Sequence, residues 1–82
     1  MKATVLVRPK HGILDPQGEA VTSSLRHLGF SVQEARIGRV IDLELDNVER
    51  IEARATLERM CEQLLANPLI ESYEIRLAEN GS

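Results

Sequence analysis

At 82 residues, 43% hydrophobic and 28% charged, the chain has the make-up of one small globular domain with no room for a second core. A net charge of −3, with Phe30 and Tyr73 as its only aromatics, argues against a nucleic-acid domain, which draws on basic patches and stacking rings. Its single cysteine, Cys61, leaves no internal disulfide or paired-cysteine motif, and no apolar run approaches the roughly 20 residues of a membrane-spanning helix.

Lys2 to Pro9 contains Ala3-Thr4-Val5-Leu6-Val7, a β-branched run that predicts a first strand. After the loop Lys10 to Ile13, Asp15-Pro16 predicts a helix start. Asp accepts a bond from a free N–H at the cap, and Pro at the first helical position lacks the N–H that would be orphaned. This helix is expected to run to about Leu28, with Ala20, Val21, Leu25 and Leu28 on its apolar face and Gly29 as a left-handed stop. Gly18 in the first turn costs roughly 1 kcal/mol against Ala, which implies a close approach to its backbone.

Val32 to Leu45 is long for one strand, and its alternation changes phase near Gly38. A bulge, bend or short turn dividing two strand segments is expected there. Ile41, Leu43 and Leu45 then alternate with Asp42 and Glu44, as on a sheet covered on one side. Asp46 and Glu49 are spaced like a capping box for a second helix. Its stripe is Ala53, Leu57, Met60, Cys61 and Leu64, and Asn67-Pro68 stops it. Ile70 to Leu77 predicts a last strand with Tyr73, Ile75 and Leu77 on one face, and the tail Ala78 to Ser82 is expected to be disordered. The order β-α-β-(β)-α-β describes an α+β chain: two helices on one face of an antiparallel sheet, ferredoxin-like or a close relative, forming a single domain over residues 1–82.

Residues able to carry chemistry are sparse. Cys61 lies on the apolar stripe, far from a helix N-terminus or a base, and reads as a core residue. His11 and His27 are too few for a metal site and read as solvent-facing. Asp42 and Glu44 fit the solvent face of a strand. Arg8, Lys10, Arg36 and Arg39 read chiefly as solvated surface, with a local basic patch as the alternative. The loop from Gly12 to Gly18 precedes a helix N-terminus, but it lacks the Lys and glycine spacing of a phosphate-binding loop. A small domain buries only about 60% of its unfolded surface, so self-association is expected. The opening shows no signal-peptide pattern, and a cytoplasmic location is expected.

Several stretches together carry a resemblance. They are Gly12-Ile13-Leu14-Asp15-Pro16-Gln17-Gly18, Leu28-Gly29-Phe30, Arg36-Ile37-Gly38-Arg39, Leu43-Glu44-Leu45, Met60 through Pro68, and Ile70 to Ile75. In these the chain resembles the small-subunit (PurS) family of bacterial phosphoribosylformylglycinamidine synthase, over nearly its whole length. Arg39 and Val40 stand where Lys followed by Tyr is common in that family.

The resemblance implies a three-subunit ligase of purine biosynthesis. Its large synthetase subunit uses ATP and magnesium to activate formylglycinamide ribonucleotide, and a glutaminase subunit releases ammonia from glutamine. The small subunit, a homodimer or homotetramer, bridges the two, with no catalytic residue, metal or cofactor of its own. Leu14, Asp15, Pro16, Gln17, Gly18, Arg36, Gly38 and Arg39 are then the expected partner-contact residues. A competing reading is a ligand-sensing regulatory domain of the ACT type, which shares the element order and often has a glycine where Gly12 stands.

Overall fold

Three strands and two helices make up the structure, a computed structural model that describes residues 1–46 and 49–78. Strand β1 is Lys2–Pro9, helix α1 Pro16–His27, strand β2 Arg39–Glu44, helix α2 Arg50–Met60, and strand β3 Glu71–Leu77. The sheet is antiparallel in the order β2-β1-β3, so β1 is central and the other two are edges. Val5 faces Ile41 on one side and Ile75 on the other. This register places Ala3, Val5 and Val7 on one face, with Ile41 and Leu43 on one flank and Tyr73, Ile75 and Leu77 on the other.

Helix α2 and the turn that follows it cover that face with Ala53, Leu57 and Cys61, all fully buried. Sinking a leucine such as Leu57 completely is worth about 1.5–3 kcal/mol, so this seam dominates the core. The expected stripe holds up to Cys61 and then fails, because Leu64 is 83% exposed. Residues Cys61–Leu65 form a π-helical turn closed by the Ala66 N–H donating to the Cys61 carbonyl at 3.0 Å. The wider turn rotates Leu64 outward, and Ala66 is buried instead. The Asn67 side chain then accepts from the Leu69 N–H at 3.1 Å and turns the chain into β3.

The start of α2 also differs from the spacing argument. Leu45 exchanges backbone bonds with Met1, its N–H to the Met1 carbonyl at 2.7 Å and the Met1 amine to its own carbonyl at 3.1 Å. The ladder therefore reaches Leu45, and α2 begins only at Arg50. Glu49 is the N-cap, extended and without a side-chain capping bond. At the other end, Ala78 is not loose. Its N–H donates to the Lys2 carbonyl at 3.0 Å and its carbonyl accepts from Arg50 at 2.6 Å. The rest of the expected tail, 79–82, lies outside the described residues.

The α+β class and the antiparallel sheet are as expected; the difference is where α1 stands. The packed pairs are β1 with β2, β1 with β3, and α2 with β3, and α1 packs substantially on none of them. Nor is there a strand between α1 and Gly38: Val32 to Ile37 lies outside the sheet and runs beside α1. Together they form an arm, and the molecule measures 49 × 28 × 14 Å. Of α1, the buried residues are Gly18 and Thr22, while Ala20 and Val21 are exposed and Leu28 is 71% exposed. The helix turns its small and polar side to its own chain and its apolar face outward.

Candidate functional site

The root of the arm gathers most of the residues singled out from the sequence. Asp15 caps α1 as expected, one carboxylate oxygen accepting from the Gly18 N–H at 3.0 Å. Its other oxygen accepts from the Ile37 N–H at 2.8 Å, so one side chain ties the helix start to the returning strand segment. These bonds, the Ile37 amide foremost and Gly18 second, hold the Asp15 carboxyl below its ordinary range. Pro16 occupies the first helical position.

Gly18 is buried where a methyl group would collide with the Ala35 carbonyl oxygen and the Asp15 carboxylate. That is the close approach its sequence position implied. One turn later, the Thr22 hydroxyl donates to the Gly18 carbonyl and accepts from the Ala35 N–H, both at 2.8 Å. Arg26 completes the strap, donating to the carbonyls of Val32 at 2.6 Å and Gln33 at 2.8 Å. Neither Thr22 nor Arg26 was legible as a functional residue, since each reads as an ordinary residue on a helix surface. The helix then closes as Gly29 implied. Its φ is +99°, its N–H donates to the Arg26 carbonyl, and the Phe30 N–H reaches back to Leu25.

A groove of about 510 Å³ opens at this root, lined by His11, Leu14, Asp15 and Arg36 among others. A second hollow of about 530 Å³ is lined by residues of β1, β2 and the segment before it, among them Arg8, Glu34, Arg36 and Arg39. Arg36 is thus shared by both. Leu14 projects at 71% exposure and Gln17 is exposed, whereas Gly38 is pressed against the Val7 carbonyl.

Arg39 belongs to the sheet side. Its guanidinium reaches both carboxylate oxygens of Glu71, at 2.7 and 3.2 Å, and the Leu65 carbonyl at 2.6 Å. The pair pushes Arg39 up and Glu71 down from their ordinary values, chiefly through that hydrogen bond. Lys10 donates to the Pro68 carbonyl at 2.6 Å, and Arg8 lies 3.6 Å from Glu74. Three of the four basic residues are therefore engaged within the chain, which favours the surface reading over a free basic patch. Asp42 is likewise a surface group, accepting from the Thr4 hydroxyl at 2.8 Å.

Cys61 is fully buried, and burial foremost pushes its thiol up, away from nucleophilic character. Its neighbour Tyr73 donates to Glu62 at 2.9 Å, a bond that pushes the phenol up to about 12. His11 and His27 are exposed, and no three His, Cys, Asp or Glu side chains cluster as a metal site among the described residues. Nowhere there does a nucleophile stand beside a base. What the arrangement offers is a stiffened junction with exposed apolar side chains, suited to contact with another surface.

Comparison with known proteins points the same way. Residues 2–79 match the family model described as PurS, phosphoribosylformylglycinamidine (FGAM) synthase. The PurS subunit of Methanocaldococcus jannaschii is 38% identical over 77 residues, covering 93% of each chain. That of Bacillus subtilis is 38% identical over 79 residues, 95% of this chain and 93% of the relative. A crystal form of Bacillus subtilis PurS superposes with a TM-score of 0.83 over 95% of this chain and 98% of that one. A chain in the structure of PurLQS from Thermotoga maritima gives 0.82 at 34% identity, over 92% of this chain and 93% of that one. These likenesses support the resemblance drawn from the sequence and not the ACT-type alternative.

Proposed function

The chain belongs to the PurS family of FGAM synthase subunits, and from that membership we propose that it bridges the glutaminase and synthetase subunits of its enzyme as a homodimer or homotetramer. The observation that carries the reading is the match over residues 2–79, nearly the whole chain, together with a TM-score of 0.82 to a chain of PurLQS. The overall reaction joins formylglycinamide ribonucleotide, ATP and glutamine to give the amidine, ADP, phosphate and glutamate. This chain supplies surface to it and no reacting group. ATP and magnesium belong to the synthetase, the chain binds no cofactor, and the assembly works in the cytoplasm.

The proposed contact residues divide by what the geometry leaves free. Leu14, Gln17 and Arg36 meet partners directly. Asp15, Pro16 and Gly18 hold the shape of the arm root, and Gly38 and Arg39 hold its junction with the sheet. Such a subunit acts by closing the route that ammonia takes between two active sites, because ammonia lost to water cannot react.

Reconstitution tests this. The glutaminase and synthetase are assayed with and without the chain, supplied with glutamine or with ammonium. Glutamine-dependent turnover should require the chain and ammonium should partly bypass it. Equal glutamine-dependent rates in both mixtures would defeat the proposal.

A further inference from the structure

We propose that the reversal joining α2 to β3, residues 64–70, is a preformed docking knob whose Leu64 and Leu69 seat in an apolar cleft of a catalytic subunit. The inference rests on the bridging role proposed above and gives that role a second contact face. A chain that bridges two subunits needs two surfaces that do not overlap, and the arm root supplies one of them.

Taken singly, an exposed leucine on a small domain is ordinary. Here the fold departs from regular helix to expose one. Leu64 stands two turns after Leu57 and one after Cys61, both fully buried, so an unbroken α-helix would bring it onto the same covered face. The π-helical turn over Cys61–Leu65 instead leaves Leu64 83% exposed and buries the much smaller Ala66. That exchange gives up the apolar area by which leucine exceeds alanine. Wide turns of this kind within helices are frequent at functional sites.

The reversal after it is pinned to residues at the ends of all three strands. Arg39 of β2 donates to the Leu65 carbonyl at 2.6 Å. Lys10, next after β1, donates its N–H to the Ile70 carbonyl at 2.9 Å and its ammonium to the Pro68 carbonyl at 2.6 Å. Glu71, which opens β3, accepts from the Asn67 N–H at 2.7 Å. Asn67 accepts in turn from the Leu69 N–H at its side chain, and from the N–H groups of Ile70 and Glu71 at its carbonyl, at 3.1 and 2.7 Å. What these bonds hold out into water is apolar: Leu69 is 82% exposed and Ile70 42%. A loop fixed before it meets its partner loses little conformational freedom on binding.

A second copy of this chain does not fit as the occupant. Leu64 and Leu69 project, and two projecting tips laid together bury a few side chains, where a standard interface engages about 20–30 residues on each side. A concave apolar site on a larger subunit does fit. There a few desolvated anchors near the centre of a wider contact carry most of its affinity.

The test uses the assembled enzyme. Full-length chains carrying Leu64→Gln, Leu69→Gln or both are titrated into fixed glutaminase and synthetase, with glutamine as the nitrogen source. Each single change should raise the chain concentration needed for half-maximal turnover by about tenfold, and the pair by more. The Tm and the light-scattering mass of the chain alone should stay as in the wild type, because both side chains already face water. Ile51→Gln is the control. Ile51 is 90% exposed but lies about 20 Å from Leu64 along the helix, and its titration should match the wild type. Wild-type titrations for both leucine variants overturn the knob and leave the bridging role standing. A reduced light-scattering mass makes the occupant a second copy, and an equal shift with Ile51→Gln makes the effect one of general apolarity; either overturns the proposal. Glutamine-dependent turnover that needs no chain at all overturns both readings.

Discussion

Replacing Gly18 by alanine sets two physical effects against each other, and the structure decides which wins. Alanine in a helix interior is favoured over glycine by about 1 kcal/mol, so propensity alone predicts a more stable chain. The added methyl group, however, would occupy the space of the Ala35 carbonyl oxygen and the Asp15 carboxylate. Neither neighbour gives easily. The first is backbone, anchored by the Ala35 N–H on Thr22, and the second is held between the amides of Gly18 and Ile37. Overpacking against such fixed atoms costs about 2–3 kcal/mol, the upper part of the usual range.

The net expectation is a loss of about 1–2 kcal/mol, or a fall in Tm of roughly 5–15 °C for a domain of this size. Thermal and urea unfolding at one fixed protein concentration measure it, and the m-value should stay constant. Amide exchange locates the damage: the Ala35 and Ile37 N–H groups should lose protection before those of β1. A Gly18→Ala chain with an unchanged or raised Tm, still protected at both amides, would refute the reasoning.

Three further outcomes follow from the geometry. Cys61→Ala should lower stability by about 1 kcal/mol or somewhat more, because removing the sulfur leaves a small void in a closed core, and should leave glutamine-dependent turnover of the reconstituted enzyme unchanged; lost turnover at constant Tm would make the thiol functional. Arg39→Lys gives up the two-pronged grip on Glu71 and should cost up to about 1 kcal/mol, because the Arg39 side chain stays about half exposed to screening solvent. A double-mutant cycle with Glu71→Gln isolates that value. For pH, Asp15 and Glu71 have lowered native pKa values, so their contributions are intact above the ordinary carboxylate values of 3.8 and 4.5 and fade as pH falls through the lower native ones. Tyr73 has the opposite sign. Its contribution is complete below 10.0 and lost as pH rises through about 12, which a Tyr73→Phe chain should abolish in an alkaline unfolding series.

Local signals were legible where local chemistry decides the outcome. The branched run of β1, the Asp15-Pro16 start and Gly29 stop of α1, and the burial of Cys61 all follow from residues within a turn or two of each other. Gly18 announced a close approach, though not which atom approached. Periodicity then failed at two points for different reasons. A 3.6-residue stripe assumes uniform α-helix, and the π-helical turn from Cys61 breaks that assumption, sending Leu64 out and Ala66 in. In α1 the apolar face was read correctly as a face. What covers it is a question of tertiary placement, and spacing carries no such information. The strap of Thr22 and Arg26 escaped notice because its partners lie along 32–35, a segment the sequence assigned to a sheet.

Among the described residues, the large side chains that are fully buried are Leu57, Val5, Val7 and Cys61, all belonging to the sheet and to α2 with its π-helical extension. The arm contributes none of them. Its order comes from polar bonds made by Asp15, Thr22 and Arg26, each sensitive to geometry and modest in net free energy. Apolar surface therefore holds the body together, while hydrogen bonds shape an arm whose own apolar ridge faces water. The two parts answer to different conditions. Burial in the body is a property of one chain, but burial of Val21, Leu25 and Leu28 needs another surface, and the stability gained there rises with the concentration of whatever supplies it. A chain organised in this way is stiff enough to present Leu14 and Arg36 at a defined place and too incomplete to be at its most stable alone, which is the physical condition of a subunit whose role is contact.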